Sequence, residues 1–320
     1  MRVFDPRGSG PVRSPLFRRS EGEPPTVAFD SERLRSERVY RTTAPVSEVL
    51  ADLVRLRSFD TEMEGQKEKW SQRALLCGIL AGVAAVVGVL LIPAGYGAIV
   101  LGLAWVLVMA WFVCYRMTSR FRTLELVERR YELVLRLLKR LRRDIAPDAP
   151  VTVELDFRST TEAENCKDRG SVGQWLAESF ALSWLTLQTR LVDGTHLRLG
   201  VEERQQFRRR SLLNARGKYK TKRKQKSAML LSVQLRVKPE KYPQLTRLTS
   251  KAKAAVQLPK AVRLTRLEVT DDRILMRTGM ALDGDVKEAP RTFLMMLLSL
   301  YQVLNYSTSL RKQGLAKASP

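Results

Sequence analysis

Residues 74–115 read ALLCGILAGVAAVVGVLLIPAGYGAIVLGLAWVLVMAWFVCY, a stretch of forty-two residues without one Asp, Glu, Lys, Arg or His. A helix crossing a hydrocarbon layer of about 30 Å needs about 20 residues, so this stretch is too long for one crossing and right for two. The segment Pro93 to Gly97 reads as the turn between them. The expectation is therefore a helical hairpin, with spans over 74–92 and 98–115 and a turn over 93–97. Each helix would close its own backbone hydrogen bonds, the condition for lying in lipid. Lys67, Lys69 and Arg73 precede the first span, Arg116, Arg120 and Arg122 follow the second, and the turn carries no charge. The positive-inside rule then predicts a multi-pass protein of the inner (cytoplasmic) membrane with both termini in the cytoplasm. Met1 is followed by Arg-Val-Phe-Asp-Pro-Arg, so no secretory signal is expected and the first span serves as its own insertion signal.

Small residues recur at helical spacing in the spans, with Gly78 and Gly82 as a GxxxG pair and Ala98 and Gly102 in the second helix. They predict close helix packing, either within the hairpin or between copies in a homo-oligomer. The spans hold no ionisable residue, which speaks against a conventional transporter or proton relay.

On both sides apolar residues alternate at spacings of three and four. Val46, Val49, Leu53, Leu56, Met63 and Trp70 come before the spans, interrupted at Asp60 and Lys67. Leu124, Val127, Tyr131, Val134, Leu138, Leu141 and Ile145 come after them. These are heptad stripes, and a hairpin would bring them together as an antiparallel coiled-coil stalk, 30–73 against 116–146, of very roughly 35 Å. Alternatively each stripe packs on the C-terminal domain or on another subunit. Helix, span, span, helix over residues 46–145 is similar in layout to the two-span effector modules of bacterial nucleotide-signalling defence systems, the SLATT family. That resemblance implies membrane perturbation or pore formation on oligomerisation.

Charge is strongly and unevenly basic, with 56 Lys and Arg against 33 acidic residues. Residues 1–29, rich in Pro, Gly, Ser and Arg, read as a disordered basic arm, and 311–320 as a tail. Asp144 to Pro150 ends the stalk helix, and 151–310 alternates like a cytosolic α+β domain. Strands are expected at Val151 to Phe157, Phe180 to Leu191, from Thr195 after an Asp193-Gly194 turn, at Ala228 to Val237, and in a hairpin of Val262 to Val269 with Arg273 to Met280. Helices are expected near Tyr242 to Ala255 and from Pro290 to Ser309, the second with a core stripe of Phe293, Met296, Leu297, Leu300 and Leu304.

The densest charge lies at 204–226, which holds Arg204, Arg208, Arg209, Arg210, Arg216, Lys218, Lys220, Lys222, Lys224 and Lys226. Five lysines at strict alternation project from one face of a strand. Joined to the preceding strand through residues 214–217, they predict a long basic β-hairpin, a two-stranded ribbon beyond the folded core. Its expected partner is an anionic lipid headgroup or acidic protein; nucleic acid is the alternative, with only Phe207 and Tyr219 there to stack on bases.

Little in the sequence points to catalysis. His196 is the only imidazole and falls just after a turn, and no nucleophile elbow, P-loop or H-E-x-x-H pattern is present. The acidic pairs Glu162 with Glu164 and Asp271 with Asp272 fall in expected loops or turns. Cys77, Cys114 and Cys166 with one histidine do not make a zinc site. No cofactor, metal or catalytic residue is expected. The function expected is a non-enzymatic membrane-anchored scaffold, with a two-span pore-forming effector and a membrane tether for nucleic acid as alternatives.

Overall fold

The structure is a computed structural model and describes residues 31–90, 92–94, 96–124, 128–146, 148–213, 217–281 and 288–318. The expected arm at 1–29, Val127, the turn 214–216 with Arg216, and residues 319–320 of the tail lie outside them. Two compact units emerge, one of residues 1–51 and 132–320 and one of residues 52–131. The chain begins with helix α1 (Ser31–Glu37), strand β1 (Val39–Pro45) and helix α2 (Val46–Leu90). A 3-10 turn at Ile92–Ala94, helix α3 (Gly97–Leu124) and helix α4 (Glu128–Leu141) follow.

Within residues 52–131, α2 and α3 are long and apolar enough to cross a membrane. Their apolar side chains are not gathered into a core: Leu75, Ile79, Val86 and Leu90 on α2, and Ile99, Trp105, Val106 and Met109 on α3, are each more than half exposed. That is the distribution of a helix whose whole circumference is apolar. At Gly88 the two helices lie close together, since an added Cβ there would meet the Leu101 side chain at 3.0 Å. Lower on α2 the stripe residues Leu53, Leu56 and Met63 are buried, and Asp60, which breaks the apolar pattern, is buried with them. Its Oδ2 accepts a hydrogen bond of 2.8 Å from the Tyr131 hydroxyl. A polar pair inside an apolar seam allows only the register that unites it.

The other unit is built on an eight-stranded antiparallel sheet. After β1 come β2 (Pro150–Asp156), β3 (Cys166–Val172), β4 (Trp175–Arg190), β5 (His196–Leu213), β6 (Tyr219–Arg236), helix α5 (Thr249–Ala255), β7 (Arg263–Val269), β8 (Arg273–Ala281) and helix α6 (Glu288–Ala318). The strand order is β1-β2-β4-β5-β6-β8-β7, with β3 paired to β4. Three expectations change. Residues 39–45 form a strand where a helix was expected: Tyr40 and Thr42 turn inward, Arg41 turns outward to Glu154 at 2.8 Å, and Pro45 ends the strand. Residues 166–172, expected as loop, pair with the start of β4. The strands expected from 195 and at 228 are not separate from the expected basic hairpin; each is continuous with one of its arms as a single eighteen-residue strand.

One face of the sheet is packed. Val151, Val153 and Leu155 of β2, Leu185 and Leu187 of β4, Leu197, Leu199 and Val201 of β5, and Met229, Leu231, Val233 and Leu235 of β6 are buried. Phe293, Met296, Leu300 and Leu304 on α6 are buried as its periodicity predicts, and Met296 Sδ lies 3.3 Å from Thr278 Oγ1 of β8. In α4, Leu133, Leu135 and Leu137 are buried beside Val134, Leu138 and Leu141. A two-helix seam buries a narrower stripe than this. The Asp193-Gly194 turn is present, with Gly194 at a φ of +86° that only glycine adopts readily. Asp193 accepts bonds from the Thr195 amide and hydroxyl, and from the Tyr301 hydroxyl of α6 at 3.0 Å. Burial, and next the Asp193 charge, push the Tyr301 phenol above its ordinary value.

Two outcomes follow. Tyr131→Phe removes a bond from a buried carboxylate and should lower unfolding stability of the detergent-solubilised chain by about 1–3 kcal/mol. Because the fold favours the neutral phenol, Tyr301 contributes stability below pH of about 10 and loses it as pH rises through the raised value. Wild type should therefore lose thermal midpoint above that pH more steeply than Tyr301→Phe, measured by circular dichroism.

Candidate anion-binding surface

Because strand side chains alternate and directly opposed residues share a face, the register assigns every cation. On β5 and β6 the odd residues belong to the packed face, so the even ones face away from it. That open face carries Arg204, Arg208 and Arg210 on β5 and Lys220, Lys222, Lys224 and Lys226 on β6. Lys218 lies just before β6 and is exposed; Arg209 belongs to the opposite face.

Beyond the helix-covered core, the hairpin is a sheet extension rather than a bare two-stranded ribbon. β4 pairs with β5 as far as Leu176 opposite Arg209, and β3 flanks β4. Only the last turn of the arm is two strands wide. Nor is the arm polar on both faces: β4 supplies Leu176 and Phe180, and Phe180 meets Phe207 edge to face at 5.9 Å between ring centres. On this side Leu176, Glu178, Phe207, Arg209, Arg223 and Gln225 line a groove of about 540 Å³.

Three consecutive rungs of the ladder are doubly cationic: Arg208 opposite Lys224, Arg209 opposite Arg223, and Arg210 opposite Lys222. Like charges directly opposed destabilise a strand pair by about 0.2–1 kcal/mol. Elsewhere the chain compensates such contacts. Arg236 faces Arg273 but meets Asp272 at 3.7 Å, and Arg266 faces Arg277 but is bonded to Glu268. Among the described residues no carboxylate pairs with any of the six cations in the three rungs. Their relief comes from neutral groups: Arg208 Nε donates to Gln206 Oε1 at 2.9 Å, and Lys224 Nζ lies 5.0 Å and the Arg210 guanidinium 5.9 Å from the Trp175 ring centre. Arg210 Nε is buried with no hydrogen-bond partner among the described residues.

The open face stays basic toward the core. Arg190, His196, Arg236 and Arg273 stand side by side on four adjacent strands, with Arg198 and Arg277 nearby on the same face. Most of this row lines a shallow trough of about 1050 Å³ together with Gln188, Gln234 and Asp272. His196 thus stands exposed between Arg190 and Arg236 in that row. Sequence reading found the concentrated lysines but not Arg190, Arg198, Arg223, Arg236, Arg273, Arg277 or Trp175. The alternation of Arg273 and Arg277 with Ile274 and Met276 was a usable signal; the cross-strand row was not visible, because it depends on register.

The small residues of the helices are placed separately. Gly78 packs on the Trp111 indole, with an added Cβ 3.2 Å from it, whereas Gly82 and Gly102 face open space and Ala98 is exposed. Ala81 and Ala104 are buried. Among the described residues no group of three or more His, Cys, Asp or Glu is placed to hold a metal ion. In comparisons with known proteins, no family description, curated protein or solved structure matches the chain.

Changing Lys224→Glu would turn the Arg208 rung into an opposite-charge pair. The arm amides should then exchange with deuterium about fivefold more slowly. Unchanged or faster exchange would show that repulsion across the rungs is not felt.

Proposed function

We propose that this protein is a non-catalytic membrane-anchored scaffold whose basic sheet extension binds the anionic headgroups of a lipid leaflet. In this reading α2 and α3 cross the inner membrane as a hairpin, both flanks lie in the cytoplasm, and the stripes around the spans act as a stalk. The observation that carries it is the block of three doubly cationic rungs that have no carboxylate partner among the described residues. Self-repulsion of that kind weakens the arm unless an extended anionic surface neutralises it, and neither a solvated loop nor an apolar partner does so. Support for lipid comes from the two helices long and apolar enough to cross a bilayer in the same chain, and from the gathering of seven cations on one face.

The test uses the full chain held in phosphatidylcholine nanodiscs. These should bind phosphatidylglycerol vesicles and not phosphatidylcholine vesicles, and the affinity should fall with added salt. Replacing Lys220, Lys222, Lys224 and Lys226 by Ser should weaken binding by about a thousandfold, at about 1 kcal/mol for each cation near the surface. Equal binding by the variant would overturn the proposal. Binding to duplex DNA at matched salt without binding to the anionic vesicles would replace lipid with nucleic acid.

A second reading has its own observation. Gly82 and Gly102 face open space, leaving small-residue surfaces on both long helices for contact with another copy. Such assembly would support a pore, and dye release from liposomes at rising protein density measures it. Silence at high density removes this reading.

A further inference from the structure

At the far end of the hairpin, Leu213 is directly opposite Tyr219 in the last rung of the ladder. These side chains are 61% and 80% exposed, the latter the most exposed large apolar side chain among the described residues, and Leu212 adjoins them one rung back, opposite Lys220. Scattered apolar residues on a surface need no explanation. Here, however, Leu213 and Tyr219 share one face of the last rung and Leu212 lies on the other face one rung back, all at the tip of the most cationic element in the fold, where polar residues would serve solubility and turn formation better.

We propose that Leu212, Leu213 and Tyr219 form a wedge that enters the acyl-chain boundary of an anionic leaflet, with the cationic rungs as a collar at the headgroups. This rests on the lipid reading above and adds to it a hydrophobic insertion with a defined depth. Rungs are spaced by about 3.4 Å, so Arg210 and Lys222 stand about 10 Å behind the Leu213–Tyr219 rung. Apolar faces of interfacial elements bury about 5–10 Å into the boundary, which brings that rung to the headgroup plane once the tip is inside. Lys218 and Lys220 are closer to the tip, and their long stems let the ammonium groups reach back to the headgroups, the Lys220 methylenes lying beside Leu212 directly opposite. Tyrosine suits the position, having an apolar ring and a hydroxyl that stays wet. Six cations in three rungs supply attraction to the leaflet; the wedge holds the arm there once it has arrived.

The experiment places an environment-sensitive fluorophore at Leu213→Cys in the full chain, with Cys77 and Cys114 changed to Ala and Cys166 to Ser, in phosphatidylcholine nanodiscs. A control label at Val192→Cys, exposed at the opposite end of β5, reports on the rest of the domain. On adding vesicles of equal phosphatidylcholine and phosphatidylglycerol, the label at 213 should shift to shorter wavelength and be quenched by lipid-borne bromine, while that at 192 stays aqueous. In the unlabelled protein Leu213→Ser with Tyr219→Ser, both exposed and free of packing duties, should weaken vesicle binding about tenfold while keeping its salt dependence. If the nanodiscs bind anionic vesicles but the label at 213 stays aqueous, or the double variant binds as tightly as the parent, the wedge is overturned and headgroup binding survives. No binding to the anionic vesicles overturns both. Immersion of equal extent in pure phosphatidylcholine vesicles overturns the collar, and immersion by duplex DNA alone transfers the tip to nucleic acid.

Discussion

An unbroken antiparallel register runs from His196 opposite Arg236 to Leu213 opposite Tyr219. The same two strands carry the sheet's apolar centre at one end and its cationic arm at the other, so one hydrogen-bond ladder sets both. At the core end the odd residues are buried and leave no freedom: a slip of one residue would turn Leu197, Leu199 and Val201 to the open side and bring Arg198 and Glu202 beneath the helices. Eighteen residues of continuous pairing transmit that constraint to a region with no core of its own. The order of the lysines along the arm is thus decided by leucines and valines many rungs away.

Such an arrangement lets a fold hold charges that would otherwise drive strands apart. Repulsion across the three doubly cationic rungs is a local term of about 0.2–1 kcal/mol each. The buried sheet and its α6 cover lie on the other side of the balance. Trp175 softens the repulsion by lying against Arg210 and Lys224, and β3 and β4 widen the base of the arm so that it does not bend away as a free hairpin. In the core the same chain pairs its opposed arginines with Asp272 and Glu268. The contrast is internal to the molecule: carboxylates meet these opposed arginines, whereas none among the described residues pairs with the three rungs of the arm.

The helical unit follows a different logic. Between Arg73 and Arg116 each helix satisfies its own backbone, so it depends little on neighbours and leaves large apolar side chains exposed. Specificity enters below that stretch, where the Tyr131 hydroxyl meets the buried Asp60. In the sequence Asp60 read as an interruption of a stripe. Its burial turns it into a register mark, a role no linear pattern distinguishes from an exposed acid.

What the linear order determined on its own were properties of single segments: two uncharged apolar stretches with basic flanks, a turn at Pro93, strands at 151, 180, 262 and 273, the Asp193-Gly194 turn, and lysines on one side of a strand. Each rests on periodicity or composition that a segment keeps whatever surrounds it. The tertiary structure alone decided pairings and their consequences. β1 is a strand because Tyr40 lies opposite Leu155, more than a hundred residues away; β3 is one because β4 extends back to Trp175 to meet it. The cationic rungs and the row from Arg190 to Arg273 exist only in register, because hydrogen bonds between distant strands, unlike those within a helix, join residues whose spacing along the chain carries no information about their proximity.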